Sequence, residues 1–212
     1  MITIEYIIYL LIILTGLVTG ILYAKNQKSL RPVVILLGVT IISEISSRIL
    51  AHTIKNSNPP YHFLSPLQCI LWGFFFYFEF EKIKIKKLSL YFCVAIAIFS
   101  IFNSLVLQTL LKYPDNILKI QSFVFIVFGF LLFIEKLDYT SNKNIFKNSG
   151  FILSIAIIWF YLISFIFNNF YTYSLQIKLK DTMRLINYVS NYLFYSLIAV
   201  SMYLSKNENS QQ

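Results

Sequence analysis

The sequence predicts an all-α membrane protein, a polytopic bundle of seven transmembrane helices. Of the 212 residues, 58% are hydrophobic and only 13% are charged, and that charged fraction is about half of what a soluble domain carries. The apolar residues also form long continuous blocks, and one helical crossing of a bilayer needs about 20 such residues. A transmembrane β-barrel would instead contain stretches of about ten residues with alternating polarity. The continuous blocks therefore favour helices.

Seven apolar blocks define the predicted spans, which are numbered 1 to 7 in chain order. They cover residues 3–24, 32–54, 61–80, 88–110, 117–134, 149–170 and 182–204. The connections are short, so we expect a single transmembrane domain over residues 1–212 with a disordered tail at 205–212. Span 1 has no basic residues before it and carries Glu5 at its start. It is therefore expected to remain as an anchor and not to be cleaved as a signal peptide.

The distribution of basic residues predicts the orientation. Eleven Lys and Arg residues lie on the side that follows spans 1, 3, 5 and 7, and six lie on the opposite side. Because cytoplasmic loops carry the excess of Lys and Arg, the N-terminus is expected outside and the C-terminus in the cytoplasm. The net charge of +9 is explained by this topology signal. No nucleic-acid partner is expected, and the lipid bilayer is the expected surrounding.

Strongly hydrogen-bonding side chains are concentrated in the predicted outer half of the bundle. Glu44 and Arg48 are four residues apart on span 2, in the order that favours an intrahelical ion pair. Unsatisfied polar groups are costly in hydrocarbon, so these side chains should face one another or water. We predict an outward-facing ligand site between spans 2, 3 and 7. Its expected lining residues are Glu44, Arg48, His62, Gln68, Arg184, Asn187 and Asn191.

Several of these residues also have a purely structural interpretation. Glu44 and Arg48 could simply neutralise each other, and single amides such as Asn103, Gln121 and Asn168 could hold the helices together. His52 and His62 could sense pH or bind a metal, but no carboxylates cluster near them in the sequence. No metal site and no cofactor are expected. Cys69 and Cys93 show no ligand spacing, so they are interpreted as small core residues.

Known catalytic motifs do not occur in the sequence. Span 7 has no central lysine for a retinal Schiff base, and the chain contains neither HExxH nor G-x-S-x-G. Its six glycines form no nucleotide-binding loop. No catalytic residue is therefore proposed, and enzymatic activity is not the favoured interpretation.

Short polar motifs give the chain a resemblance to a known group. They are Ser43-Glu44 with Ser47-Arg48, the stretch from Asn58 to Gln68, Asn103-Ser104, and Asn187 with Asn191 and Tyr195. With these motifs the chain resembles an uncharacterised family of small bacterial seven-helix integral membrane proteins. The resemblance implies a multi-pass protein of the bacterial cytoplasmic (inner) membrane, and it implies no activity.

The leading functional hypothesis is a receptor-like or sensory module that binds a small polar ligand. These 212 residues leave no room for a soluble output domain, so the signal would pass to a partner protein or through a homo-oligomer. A small-solute transporter or channel subunit is the second hypothesis, and the apolar inner half argues against it. A lipid-modifying enzyme that uses Glu44 with His52 or His62 is the third, and no motif supports it.

Overall fold

A computed structural model describes residues 4–24, 27–139, 144–176 and 180–209, with the backbone alone at 139, 171–176, 180–181, 183–184 and 207–209. Within these ranges the regular structure is helical, and no strand occurs. The prediction of an all-α chain is therefore confirmed for the described residues.

Seven α-helices account for most of the described chain. Two of them, α1 and α4, continue directly into short π-helical segments, and a 3₁₀ turn at Ile145–Lys147 precedes α6. The helices are α1 Ile4–Thr19 with the π segment Gly20–Ala24, α2 Arg31–Thr53, α3 Pro59–Glu79, α4 Ile83–Phe102 with the π segment Asn103–Leu107, α5 Asp115–Tyr139, α6 Ser149–Gln176 and α7 Lys180–Asn209. Each predicted span overlaps one helix, and α7 continues into the segment expected as a tail.

Six of these helices, among the described residues, are long and apolar enough to cross a membrane. The six are α1, α2, α4, α5, α6 and α7. A multi-pass helical membrane protein is the class that such a set defines. The remaining predicted span, span 3, corresponds to α3, which has 21 residues but begins Pro-Pro-Tyr-His and carries Ser65 and Gln68. These polar residues lower its hydropathy, although its length would suffice for a crossing.

The helices divide into two compact units. The first unit comprises residues 1–26 and 122–212, and the second unit comprises residues 27–121. Helices α1, α6 and α7 belong to the first unit, and α2, α3 and α4 belong to the second. Helix α5 begins in the second unit and continues in the first.

Aromatic contacts hold the first unit together. The Tyr9 ring of α1 lies 5.6 Å from the Tyr195 ring of α7, and the Tyr192 hydroxyl donates to the Glu5 carbonyl at 2.8 Å. Between α6 and α7, the Phe160 and Phe194 rings stack with their centroids 4.2 Å apart. Such pairs stabilise a structure by about 0.5–1.5 kcal/mol beyond their burial. They join α7 to both α1 and α6.

In the second unit, α3 packs against both α2 and α4. Its core-facing side carries Trp72, Phe75 and Phe76, all completely buried. Gly73 lies against α4, where a Cβ atom added to it would be 2.7 Å from the Cβ of Cys93. Because no other residue lacks a Cβ, only glycine permits this close approach of α3 and α4.

Helix α2 ends in a left-handed turn. Ile54 closes the helix by donating its N–H to the Leu50 carbonyl, and the following residue, Lys55, has a φ of 58°. This is the position that glycine usually occupies after a helix. Lys55 therefore holds a conformation that an L side chain disfavours by about 1–2 kcal/mol.

Candidate functional site

The candidate site lies at the end of the second unit that carries the connections 54–58 and 108–114, called here the polar end. The side-chain amides of Asn56 and Asn58 both donate to the Leu111 carbonyl, each at 2.8 Å. Ser47 on α2 donates to the Ser57 carbonyl at 2.8 Å. The two connections are thus bound to each other by side-chain hydrogen bonds and form one surface.

His62 lies in the first turn of α3, directly behind this surface. Pro59 and Pro60 begin the helix, where the missing N–H groups cost nothing. The imidazole is only 3% exposed. Its Nδ1 lies 2.8 Å from the Ser104 Oγ, and its Nε2 lies 2.7 Å from the Lys112 carbonyl oxygen. His62 therefore joins α3 to the end of α4 and to the connection that follows it.

A second set of hydrogen bonds continues inward from this point. Ser100 Oγ donates to Ser65 Oγ at 3.1 Å, and Ser65 Oγ donates to Gln121 Oε1 at 3.0 Å. Gln121 Nε2 then donates to Gln68 Oε1 at 3.1 Å. The series crosses from α4 to α3, to α5 and back to α3. Since the donors and acceptors alternate without interruption, each hydroxyl fixes the orientation of the next group.

The π segment Asn103–Leu107 carries the third part of the site. Its backbone closes through a bond from the Gln108 N–H to the Asn103 carbonyl, 2.7 Å long and five residues apart. The Asn103 side chain donates to Gln108 Oε1 at 2.9 Å. Gln108 Nε2 donates in turn to Asp115 Oδ1 at 2.7 Å, and Lys119 pairs with the other carboxylate oxygen at 3.0 Å. Such π segments are frequent at functional sites.

Asn103 is completely buried, and its Oδ1 atom has no hydrogen-bond partner among the described residues. A buried acceptor without a donor costs about 1–3 kcal/mol. The rest of the side chain is fixed by its bond to Gln108, so the carbonyl cannot turn to find a donor without losing that bond. The polar end therefore contains one buried amide acceptor for which the described residues supply no donor.

The buried side chains of α3 become apolar beyond Gln68. Beyond Gln68, the buried residues are Cys69, Trp72, Gly73, Phe75 and Phe76, with Cys93 of α4 opposite Gly73. Both cysteines are free thiols. The interior of the second unit therefore changes from hydrogen-bonded to aromatic about halfway along the helix, and the aromatic residues form a floor beneath the polar end.

The seven residues predicted to bind a ligand are distributed over both units. The hydrogen-bonded groups of the polar end described above, from His62 and Ser104 to Lys119 and Gln121, are called here the cluster. His62 and Gln68 belong to it, whereas Glu44 and Arg48 lie half-buried on α2 of the same unit. Asn191, on α7 of the first unit, donates to the Asn187 carbonyl at 2.7 Å. The Arg184 side chain lies outside the described residues. The cluster thus contains two of the predicted residues.

Sequence reasoning did not predict the hydroxyl and ion-pair members of the cluster as site residues, namely Ser65, Ser100, Ser104, Asp115 and Lys119. A signal for them exists in the spacing: Ser100 and Ser104 are four residues apart on one face of α4, and Asp115 and Lys119 are four apart on α5. Gln121 does link two helices, as the structural interpretation of the amides expects.

No group of three or more His, Cys, Asp or Glu residues in the described ranges lies close enough to hold a metal ion. The chain matches no protein-family model, no curated protein and no solved structure. The class that the fold and the site define is a multi-pass helical membrane protein with a buried polar cluster at one end of its second unit.

Proposed function

We propose that the chain is a receptor-like or sensory membrane protein whose polar end binds a small polar ligand. The observation that carries the proposal is the buried Oδ1 of Asn103, for which the described residues supply no donor although the side-chain amide of Asn103 is hydrogen-bonded to Gln108. A ligand with an N–H or O–H group would satisfy this acceptor. The gain on binding would include the roughly 1–3 kcal/mol that the unpaired oxygen costs in the free protein.

The aromatic floor favours binding over transport. A transporter needs polar groups along a path through the membrane. In the second unit, α3 continues beyond Gln68 with the completely buried rings of Trp72, Phe75 and Phe76. A ligand that reached Asn103 would therefore return by the route through which it entered. This is the behaviour of a receptor.

The arrangement of charge supports a site open to the outside. Lys82, Lys84, Lys86 and Lys87 lie at the α3–α4 connection and the start of α4, at the opposite end of α3 from His62. By the positive-inside rule this lysine cluster faces the cytoplasm. The polar end would then face the exterior of a bacterial cytoplasmic membrane. A signal would leave through a partner protein or a second copy of the chain.

Ligand-induced stabilisation tests the proposal. Purified protein in lipid nanodiscs is heated with each member of a panel of amines, amino acids, polyols and sugars. A compound present at 100 times its Kd should stabilise the protein by about 2.7 kcal/mol. Asn103→Leu should lose this response. Asn168→Leu should keep it, because Asn168 lies on α6 of the first unit and does not belong to the polar end. It is the matched control, since it is also a buried amide whose Oδ1 is unpaired among the described residues.

Two outcomes would contradict the proposal. One is a thermal response that persists at full size in Asn103→Leu, which would show that the ligand binds elsewhere. The other is uptake of the stabilising compound by proteoliposomes, which would support the transporter hypothesis. Turnover of lipid by the purified protein would support the enzyme hypothesis in the same way.

A further inference from the structure

The hydrogen bonds of His62 restrict where its protons can be. The Lys112 carbonyl lies 2.7 Å from Nε2, and a carbonyl oxygen can only accept a hydrogen bond. Nε2 must therefore carry a proton. The protonation state of the ring then depends entirely on Nδ1, which lies 2.8 Å from the Ser104 hydroxyl oxygen.

Ser104 has one hydroxyl proton and two acceptors within reach. Its Oγ lies 2.8 Å from Nδ1 of His62 and 3.0 Å from the Ser100 carbonyl oxygen. If the imidazole is neutral, Nδ1 needs the Ser104 proton, and the bond to Ser100 is lost. If the imidazole is protonated, Nδ1 donates to Ser104 Oγ, and Ser104 donates to the Ser100 carbonyl. Only the imidazolium form allows all three hydrogen bonds to exist together.

We propose that His62 is a proton-binding switch that turns the Ser104 hydroxyl between its two acceptors. Proton binding at Nδ1 would direct the hydroxyl to Ser100, and proton release would direct it to His62. Ser104 directly follows Asn103, so the switch acts on the π segment that presents the unpaired Oδ1. An effect of the switch on ligand affinity would rest on the proposed function. The proton site itself does not.

The two hydrogen-bond partners of the His62 ring, a hydroxyl and a carbonyl, are neutral. The charged or titratable groups on the elements that form this end are Glu44, Arg48 and His52 on α2, Lys55 after it, Tyr61 on α3, Lys112 and Tyr113 before α5, and the paired Asp115 and Lys119 on α5.

The chain offers a direct spectroscopic test, because it contains only two histidines. In the His52→Gln variant, ¹⁵N-labelled histidine reports His62 alone. Its ring nitrogen shifts in nanodiscs, without added ligand, are followed between about pH 5 and 8, where imidazoles change charge. We expect the Nδ1 signal to move from the unprotonated to the protonated value as the pH falls, while Nε2 remains protonated throughout.

Ser104→Ala in the same background tests the relay. Without the hydroxyl, Nδ1 has no group to donate to, so His62 should stay neutral over the whole range. Ser89→Ala is the matched control, since Ser89 is a buried serine near the other end of α4 that donates to the Lys86 carbonyl. That variant should titrate as its parent does.

The switch would be refuted if Nδ1 stayed unprotonated across the range in the protein with an intact Ser104. An unchanged titration in Ser104→Ala would refute it equally. Neither result bears on ligand binding, because the measurement contains no ligand. The thermal response of Asn103→Leu can therefore fail while the titration succeeds, and the two proposals stand or fall separately.

Discussion

Replacing Gly73 by alanine should destabilise the second unit, and the structure gives the sign and rough size of the effect. The new Cβ would lie 2.7 Å from the Cβ of Cys93 and 3.5 Å from a methyl group of Leu90. Carbon atoms in contact prefer about 3.5–4.0 Å. Both Cβ atoms are attached to helix backbones, so no side-chain rotation can relieve the overlap. Helices α3 and α4 would have to move apart by about 1 Å.

The expected net loss is about 1–2 kcal/mol. Overpacking of this kind costs about 1–3 kcal/mol, and the better helix propensity of alanine returns about 0.5–1 kcal/mol. The measurement is thermal unfolding in detergent, followed by circular dichroism. Gly38→Ala on α2 is the matched control, because a Cβ there meets nothing within 4 Å. That variant should be neutral or slightly more stable than the wild type.

A second substitution tests the cause. In the double variant Gly73→Ala with Cys93→Gly, the missing Cβ is moved from α3 to α4, and the close approach becomes possible again. The double variant should recover part of the stability lost in Gly73→Ala alone. If Gly73→Ala proved as stable as Gly38→Ala, the reasoning about the α3–α4 contact would be wrong.

Other residues give further tests. Lys55→Gly should stabilise the protein by about 1 kcal/mol, because glycine adopts the left-handed conformation without strain, whereas Lys55→Val should destabilise it; equilibrium unfolding in detergent measures both. Ser65→Ala should cost about 1 kcal/mol, since it removes two interhelical hydrogen bonds of about 0.6 kcal/mol each; an unchanged melting temperature would contradict the contribution of the polar series. With Cys69 and Cys93 replaced by alanine, a membrane-impermeant thiol reagent added to intact cells should label a cysteine at Lys112 but not one at Lys84. The reverse labelling pattern would invert the proposed orientation.

The sequence was sufficient to predict the helices because hydrophobic length is a property of each segment by itself. Every predicted span overlaps an observed helix, and the described bounds differ by a few residues at most ends. Helix α3 is the informative case. Its polar residues reduce its hydropathy, yet His62, Ser65 and Trp72 are buried in the second unit. Hydropathy reports the composition of a helix and not the neighbours that cover it.

The site was predictable only in part because charge is a stronger signal in a sequence than hydroxyl groups. Glu44 and Arg48 attracted attention as charged residues inside an apolar span. Ser100 did not, and Ser104 was noted only as part of the Asn103-Ser104 motif, since single serines are common in membrane helices and a hydroxyl can bond to its own helix. The contact of His62 with the Lys112 carbonyl joins residues 50 positions apart and involves a backbone atom. No side-chain pattern encodes such a bond.

The π turn at Asn103–Leu107 was not predictable either. It arises where the Gln108 N–H bonds to the carbonyl five residues earlier, and the Asn103 and Gln108 side chains reinforce that turn by bonding to each other. The sequence Asn-Ser-Leu-Val-Leu has no residue that forces a wider turn. The local backbone therefore depends on the surrounding polar groups, which only the folded chain brings together.

The modest hydropathy of α3 has a consequence for biogenesis. A segment that begins with two prolines and carries His62, Ser65 and Gln68 partitions poorly into lipid when it is alone. Its hydrogen-bonding partners on α4 and α5 are synthesised only later. We therefore expect the translocon to retain α3 until α4 has emerged, so that the two enter the bilayer as a hairpin. Ribosome-stalled nascent chains that end before and after α4 would reveal the order.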